Sequence, residues 1–152
     1  MNILLATDGS EFSRAAVEKC CEVANGTEPD TVTVISVYEP VAPIAAEPFA
    51  VSAEYCQRME ALAAERAQQA VDRALNVIAE KCRNQRLETR SIVEVGRPAE
   101  MILSAAGQLG ADLIIMGSHG RGFWGRLTLG SVSDAVVHHA ACSVLIVKGQ
   151  KQ

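Results

Sequence analysis

Five short runs rich in valine, isoleucine and leucine recur along the chain, and the segments between them carry apolar residues at helical spacing. Three of the runs contain unbroken apolar stretches, which are typical of strands covered by helices on both faces. Strand and helix therefore alternate, and this predicts an α/β fold with a doubly wound, five-stranded parallel sheet. The predicted strands are residues 2–7, 31–38, 87–95, 112–117 and 143–148.

The helical segments predict four helices, one between each pair of consecutive strands. Pro98 suits the first turn of the third helix, and Gly110 should end that helix. The predicted helices lie within residues 12–23, 59–82, 98–109 and 131–140. With the strand order 3-2-1-4-5, helices cover both faces, the last strand lies at one edge and the third strand lies at the other.

Length and charge limit the class of protein. A chain of 152 residues, 49% of them hydrophobic, can bury one core, so residues 1–152 are expected to form a single domain. The net charge of −4 and the isoelectric point near 5.4 argue against nucleic-acid binding, which needs clustered lysine and arginine. Without a basic leader or an apolar run of roughly 20 residues, we expect a cytoplasmic protein with no membrane contact.

The five cysteines suggest neither a disulfide framework nor a zinc site. Their number is odd, no CxxC spacing occurs, and the adjacent Cys20 and Cys21 are poorly placed to bridge each other. We interpret the cysteines as small buried hydrophobic residues.

A ligand site is predicted between the first and fourth strands. In doubly wound sheets, ligands bind beyond the carboxyl ends of the strands, where the winding order reverses. Residues 117–131 follow the fourth strand and hold five glycines, Arg121 and Arg126 but no acidic residue, which gives a local charge of +2. Glycine permits positive φ and close approach of N–H groups to phosphate, and the helix start at Ser131 adds further N–H groups. These features predict a phosphate-bearing ligand.

Two common phosphate motifs fail on context. Residues 120–125 match GxGxxG, but the dinucleotide motif should follow the first strand and precede an acidic residue by about 20 positions, where this chain has Leu145. A P-loop requires lysine and then serine or threonine, and here Arg126 and Leu127 follow the second glycine. The spacing that does fit is Gly117-x2-Gly120-x9-Gly130-Ser131, directly after an apolar strand.

With this spacing, the chain resembles the ATP-binding branch of the universal stress protein family. The segments ILLATDGS, GRPAEMIL, ADLIIMGSHGRG and GSVSDAVVHHAACSVLIVK extend the resemblance over essentially the whole chain. The resemblance implies bound ATP, with or without magnesium or manganese, and a homodimer formed through the last strand. It also implies that Asp8 lies near the adenine or ribose and that Val37 lines the base pocket. The residues implied to hold ribose and phosphates are Gly117, Gly120, Gly130 and Ser131.

The chain departs from the family pattern at residues 122–125, where a serine- and leucine-rich stretch is usual, and at Ser143, where proline is usual. Trp124 falls in the first departure and suits either stacking on a ligand or packing on the domain surface. Asp8 also fits an N-terminal cap of the first helix, although Ser10 fits that cap better. Residues 39–52 contain three prolines and predict an exposed loop.

Two histidine-containing pairs have weaker functional interpretations. Ser118 and His119 could form a nucleophile and base, but adjacent residues rarely hydrogen-bond in that way and no third orienting group is evident. His138 and His139 are expected to stabilise the last turn of the fourth helix, where a cationic imidazole favours the negative end of the helix dipole. Neither pair indicates a metal site.

The leading functional hypothesis is a module that acts by ATP occupancy. Hydrolysis is expected to be absent or slow, because no general base or arginine finger is evident. Three alternatives remain open: a homodimeric regulatory scaffold without nucleotide, a slow ATPase, and an NAD-binding enzyme that uses the GxGxxG segment.

Overall fold

The computed structural model describes residues 1–27, 31–41, 52–82, 87–120 and 129–149. Five strands and four helices alternate along the chain. The strands are β1 (Asn2–Ala6), β2 (Thr31–Tyr38), β3 (Glu88–Val95), β4 (Leu113–Gly117) and β5 (Ser143–Val147). The helices are α1 (Glu11–Thr27), α2 (Ala53–Lys81), α3 (Pro98–Leu109) and α4 (Ser131–His139).

The strands form one parallel sheet in the order β3-β2-β1-β4-β5. The predicted fold class and strand order are therefore confirmed, with β3 and β5 at the two edges. Each predicted strand overlaps an observed strand and differs from it by at most one residue at either end. β1 and β4 are neighbours at the centre, so the residues that follow them meet at one end of the sheet.

Local signals explain both ends of α3 and the start of α2. Pro98 occupies the first turn of α3, and Gly110 ends the helix in the left-handed conformation, with φ of 57°. Both predictions are confirmed. α2 begins six residues earlier than the predicted 59, because the Ser52 side chain accepts a hydrogen bond from Tyr55 N–H and caps the helix. Residues 53–55 are exposed and Cys56 is the one buried residue of the first turn, so the apolar periodicity did not reveal this turn.

The sheet separates two hydrophobic clusters. We call the side covered by α1 and α2 the closed face, and the side covered by α3 and α4 the open face. Successive strand residues point to opposite faces, so Leu5 and Ile115 pack on the closed face while Leu4 and Ile114 pack on the open face. The four helices complete the clusters with mostly small or branched residues: Ala16, Val17, Cys20, Cys21, Ala24, Val71, Ala74, Ile78 and Cys82 on one side, and Ile102, Ala105, Ala106 and Val136 on the other.

All five cysteines are free thiols. Four are buried, as predicted, and Cys142 is partly exposed. Among the described residues, no helix combines the length and hydrophobicity that crossing a membrane requires.

Candidate functional site

A cleft of about 410 Å³ opens beyond the carboxyl ends of β1 and β4. It lies at the reversal of winding order, where the sequence placed a ligand site. All six residues of the predicted site line this cleft: Asp8, Val37, Gly117, Gly120, Gly130 and Ser131. The structure thus brings together residues that are up to 123 positions apart in sequence.

One wall of the cleft is apolar and belongs to the open face. β2 contributes Ile35 and Val37, α3 contributes Pro98 and Ile102, and β4 contributes Met116. Ile35, Ile102 and Met116 are buried, so this wall is part of the packed core. A flat apolar ring system is a suitable guest for such a wall, since ligand pockets are mostly apolar with a few placed polar groups.

The main-chain N–H and C=O groups of Val37 point toward the cleft. Thr7 N–H donates to Ile35 C=O at 2.9 Å, and Gly96 N–H donates to Tyr38 C=O at 2.9 Å. Because main-chain polar groups alternate in direction along a strand, Val37 points the same way as Ile35, toward β1. The pairing of β1 with β2 stops at Ile35. Val37 therefore presents a donor and an acceptor side by side beyond the end of β1.

The opposite end of the cleft contains the start of α4. Helices leave their first N–H groups without intrahelical partners, and a side chain at the N-cap usually satisfies one of them. Ser10 does this for α1, accepting from Ser13 N–H at 3.2 Å, so the prediction that Ser10 is the cap is confirmed. α4 has Gly130 at its N-cap and no side-chain capping bond. The first turn of α4 thus offers N–H groups and a positive dipole end to the cleft.

Gly117, the first glycine of the predicted motif, is required for close packing. Among the described glycines, positive φ occurs at Gly9, Gly96 and Gly110. Gly117, Gly120 and Gly130 therefore do not use the positive φ that glycine permits, and Gly130 has φ of −66°. A Cβ on Gly117 would lie 2.7 Å from the main-chain carbon of Phe12, so that glycine lets α1 approach β4.

The other two motif glycines border the cleft. A Cβ on Gly120 would lie 3.0 Å from Oδ2 of Asp8, and a Cβ on Gly130 would lie 3.3 Å from Cα of His119. Asp8 uses its other carboxylate oxygen to accept a hydrogen bond from Ser10 N–H at 2.9 Å. Asp8 therefore supports the turn before α1 and also lines the cleft, so its two predicted roles are compatible.

Ser118 joins three parts of the structure. Its N–H donates to Val147 C=O at 2.8 Å, and its C=O accepts from Gly130 N–H at 2.9 Å. The Ser133 hydroxyl lies 2.8 Å from the same Ser118 C=O and 2.9 Å from Gly130 C=O. These contacts connect the end of β4 to the edge strand β5 and to the start of α4.

Ser118 Oγ and His119 Nδ1 are 3.1 Å apart, within hydrogen-bonding distance. The expectation that these adjacent residues do not bond is therefore wrong. The serine hydroxyl is nevertheless a poor nucleophile toward a ligand, because Ser118 is only 2% exposed. The His119 ring packs on Phe12 with 5.2 Å between ring centroids, and it lines the cleft. The pair fixes the histidine ring at the edge of the cleft.

Sequence reasoning missed the buried hydroxyl groups of the cleft. Thr7, Ser13 and Ser133 all line it, and Thr7 Oγ1 and Ser13 Oγ are 3.2 Å apart. Their hydroxyls bond to neighbouring protein groups, which fixes the polar wall. The available signal was their position in sequence, one residue from Asp8 for Thr7, five from Asp8 for Ser13 and two from Ser131 for Ser133, and this was too general to single them out.

Several predictions fall on residues outside the described ranges. These include the charges of Arg121 and Arg126, the role of Trp124, and most of the proline-containing loop. His138 does lie in the last turn of α4, where its Nδ1 is 2.8 Å from Asp134 C=O. Within the described ranges, no group of three or more histidine, cysteine, aspartate or glutamate residues is arranged to hold a metal ion.

The fold and cleft define the chain as a small doubly wound α/β domain with a ligand cleft at its topological switch point. Residues 1–148 match the Universal stress protein family, and the chain belongs to this family.

Similar proteins cover nearly the full length. The chain is 38% identical over 157 residues to "Universal stress protein in QAH/OAS sulfhydrylase 3'region" of Thermus aquaticus, covering 96% of this chain and 97% of that protein. Among solved structures, Universal stress protein UspA from Lactobacillus plantarum has a TM-score of 0.79 at 23% identity and 97% coverage of both chains. A universal stress protein family protein from Arabidopsis thaliana, solved with AMP bound, has a TM-score of 0.64 at 17% identity, covering 99% of this chain and 92% of that one.

Proposed function

We propose that the chain binds an adenine nucleotide in the cleft, with ATP as the principal ligand, and acts by nucleotide occupancy. The observation that carries this proposal is the arrangement of one cleft: an apolar wall with the Val37 main chain at one side, and the uncapped start of α4 at the other. The AMP bound to the Arabidopsis relative supports the same class of ligand. The glycine spacing of the ATP-binding branch supports a ligand with more than one phosphate.

The main chain of Val37 favours adenine over guanine. Adenine presents an acceptor nitrogen beside an amino donor on its pairing edge, whereas guanine presents a donor beside an acceptor. The N–H and C=O of Val37 complement the adenine pattern. Guanine in the same position would place donor against donor and acceptor against acceptor, and unpaired buried polar groups cost about 1–3 kcal/mol each.

The start of α4 suits the phosphate end of the ligand. Main-chain N–H groups at a helix start bind phosphate, and each charge-assisted bond contributes roughly 1.5–3 kcal/mol. Ser131, the first residue of α4, adds a side-chain hydroxyl at the same place. Asp8 is the carboxylate nearest to Gly120, and it is suited to a ribose hydroxyl or to a divalent cation carried by the nucleotide.

Calorimetry tests this proposal. We expect ATP to bind with a Kd in the micromolar range, GTP to bind at least tenfold more weakly, and NAD to give no tight binding. A Gly120→Val substitution should abolish ATP binding, because its side chain would meet the Asp8 carboxylate. Gly107→Ala is the matched control, since a Cβ there meets nothing within 4 Å.

The results separate the alternatives. Absence of heat for ATP, ADP and AMP with the wild-type chain would refute nucleotide binding and favour the regulatory scaffold. Preference for NAD would favour the oxidoreductase alternative. Release of phosphate faster than about 1 per second would indicate an ATPase. Protein purified without added ligand offers a further test. Release of an adenine nucleotide when this protein is denatured would support the proposal.

Pairing of two chains through β5 is part of the proposal. β5 lies at the sheet edge, and its Val144, Leu145, Ile146 and Val147 side chains are only partly buried. Val147 C=O points inward to Ser118 N–H, so the alternate residues Val144 and Ile146 direct their main-chain groups outward. An apolar edge of this kind favours antiparallel pairing with a second copy.

Sedimentation velocity tests the pairing. The wild-type chain should sediment with a mass twice the 16.2 kDa of one chain. Ile146→Pro removes an outward main-chain N–H, so this variant should sediment as a monomer. Ile146→Ala keeps that N–H and is the control. A monomeric wild type at micromolar concentration would exclude the dimer without affecting the nucleotide proposal.

A further inference from the structure

His119 lines the cleft beside the start of α4. A Cβ on Gly130, the N-cap of that helix, would lie 3.3 Å from Cα of His119 and 3.6 Å from Cδ2 of its ring. Cδ2 is bonded to Nε2, so this edge of the imidazole lies next to a helix turn that no side chain caps. The histidine ring is therefore close to the place where the phosphate end of the nucleotide is proposed to bind.

Two contacts hold the His119 ring in one orientation. Its Nδ1 lies 3.1 Å from Oγ of Ser118, and its face packs on Phe12 with 5.2 Å between ring centroids. Phe12 is held in turn by two glycines that approach it closely, since a Cβ on Gly117 would lie 2.7 Å from its main-chain carbon and a Cβ on Gly149 would lie 3.0 Å from its Cδ1. The ring is thus oriented before a ligand binds, which lowers the entropic cost of binding.

The Ser118 hydroxyl determines which ring nitrogen carries the proton. Ser118 is 2% exposed, and within the part of the chain that the structure describes its Oγ has a single hydrogen-bond partner, Nδ1 of His119. A buried hydroxyl donor needs an acceptor, so the hydroxyl donates to Nδ1. Nδ1 accepts a hydrogen bond only in the neutral tautomer that carries its proton on Nε2. The N–H donor of the ring is therefore on the edge beside α4.

We propose that His119 donates its Nε2–H to the phosphate chain of the bound nucleotide and that Ser118 is the positioning residue that sets this tautomer. The inference rests on the proposed function and adds a side-chain contact to it. Phosphate oxygens are acceptors, so the other tautomer would place a lone pair against them. With Nδ1 bonded to Ser118 and Nε2 protonated, the ring has no lone pair with which to activate a water. The contact therefore serves binding and not hydrolysis.

Calorimetry with two amide variants tests the contact. The side-chain nitrogen of glutamine reaches about as far as Nε2 of histidine, whereas that of asparagine, which is one methylene shorter, reaches only about as far as Nδ1. We expect His119→Asn to weaken ATP binding about tenfold or more, as loss of a hydrogen bond to a charged group should, and His119→Gln to stay within about threefold of wild type. Adenosine has no phosphate and should not distinguish the three proteins. Thermal unfolding without ligand checks that both variants fold.

Nitrogen-15 NMR of the histidine rings at pH 8 tests the tautomer. The chain has three histidines, and the signals that disappear in His119→Gln belong to His119. We expect the Nε2–H tautomer in the wild type and a mixture of tautomers in Ser118→Ala, which should also bind ATP more weakly than wild type but better than His119→Asn. Addition of ATP should shift the His119 signals. His138 and His139, in the last turn of α4, are internal controls and should not shift.

Failure of this inference can be distinguished from failure of the proposed function. Absence of ATP binding by the wild type would refute the proposed function itself. Three results would overturn the His119 contact alone: equal ATP affinity of wild type and His119→Asn, an Nδ1–H tautomer in the wild type, or an equal loss of affinity for ATP and adenosine. If His119→Asn does not fold, the tautomer of the wild type and its response to ATP still decide.

Discussion

The two faces of the sheet are built from the same strands but have different properties. On the closed face, α1 approaches β4 so closely that only glycine fits at position 117, and the cluster there is filled by small and branched side chains. On the open face, α3 and α4 leave the cleft of about 410 Å³ between them. The comparison indicates that the closed face supplies packing and the open face supplies a binding surface.

The largest effect should come from the contact between α1 and β4. Gly117→Ala places a Cβ 2.7 Å from the Phe12 main chain, which cannot move without shifting α1, so we expect a loss of about 3 kcal/mol or more in the free energy of unfolding. Gly107→Ala in α3 should instead gain about 0.5–1 kcal/mol, because the site is open and alanine favours helix. Urea unfolding measures both. Equal changes in the free energy of unfolding for the two variants would show that α1 is not closely packed on β4.

Matched isoleucine substitutions test whether the faces differ in packing. Ile78 on the closed face and Ile102 on the open face are 1% and 4% exposed. We expect Ile78→Ala to cost about 3 kcal/mol and Ile102→Ala about 2 kcal/mol, because the space left at Ile102 joins the cleft and admits water. A larger cost at Ile102, measured by denaturant unfolding, would contradict the distinction between the faces.

Ser133 tests how the polar wall of the cleft is held. Ser133→Ala removes the hydroxyl near the C=O groups of Ser118 and Gly130, and we expect a loss of about 1 kcal/mol in the free energy of unfolding. Ser104→Ala on the exposed surface of α3 is the control and should change stability by less than about 0.5 kcal/mol. Thermal unfolding measures both variants. If they unfold at the same temperature, the hydrogen bonds of Ser133 make no net contribution to the stability of the fold.

The smallest effect concerns pH and the buried thiols of the closed face. Burial, followed by the nearby Cys21 and Cys82, raises the pKa of Cys20 from 9.0 to about 12. Between these values the unfolded chain releases a proton that the folded chain keeps, so the free energy of unfolding falls as pH rises above 9. Cys20→Ala should reduce this fall by about 1 kcal/mol between pH 8 and pH 10. Parallel stability curves for variant and wild type would refute the assignment.

Much of the fold could be predicted because its causes are local. Apolar runs located the strands, Pro98 and Gly110 located the ends of α3, and alternation predicted the parallel doubly wound sheet whose assumed strand order the structure confirms. The early start of α2 was missed, because it depends on the Ser52 cap and on residues that are exposed. The periodicity of buried residues carries no information about such a turn.

The residues that line the candidate site could be predicted from the sequence, but the physical reasons for their arrangement could not. The glycine spacing and the family resemblance together named the six residues, yet the close approach of Phe12 to Gly117 depends on how α1 crosses β4, which neither of them encodes. The bond between Ser118 and His119 likewise depends on how the chain turns after β4. Ligand contact at the six residues stays a prediction.

Because the sheet lies between the two clusters, side chains that line the cleft share few neighbours with those beneath α1 and α2. Substitutions on opposite sides should therefore combine additively, within about 0.5 kcal/mol. Residues of the cleft can therefore be replaced, and the ligand preference changed, while the closed face continues to stabilise the fold. Proteins with this scaffold can consequently differ in the ligands that they bind.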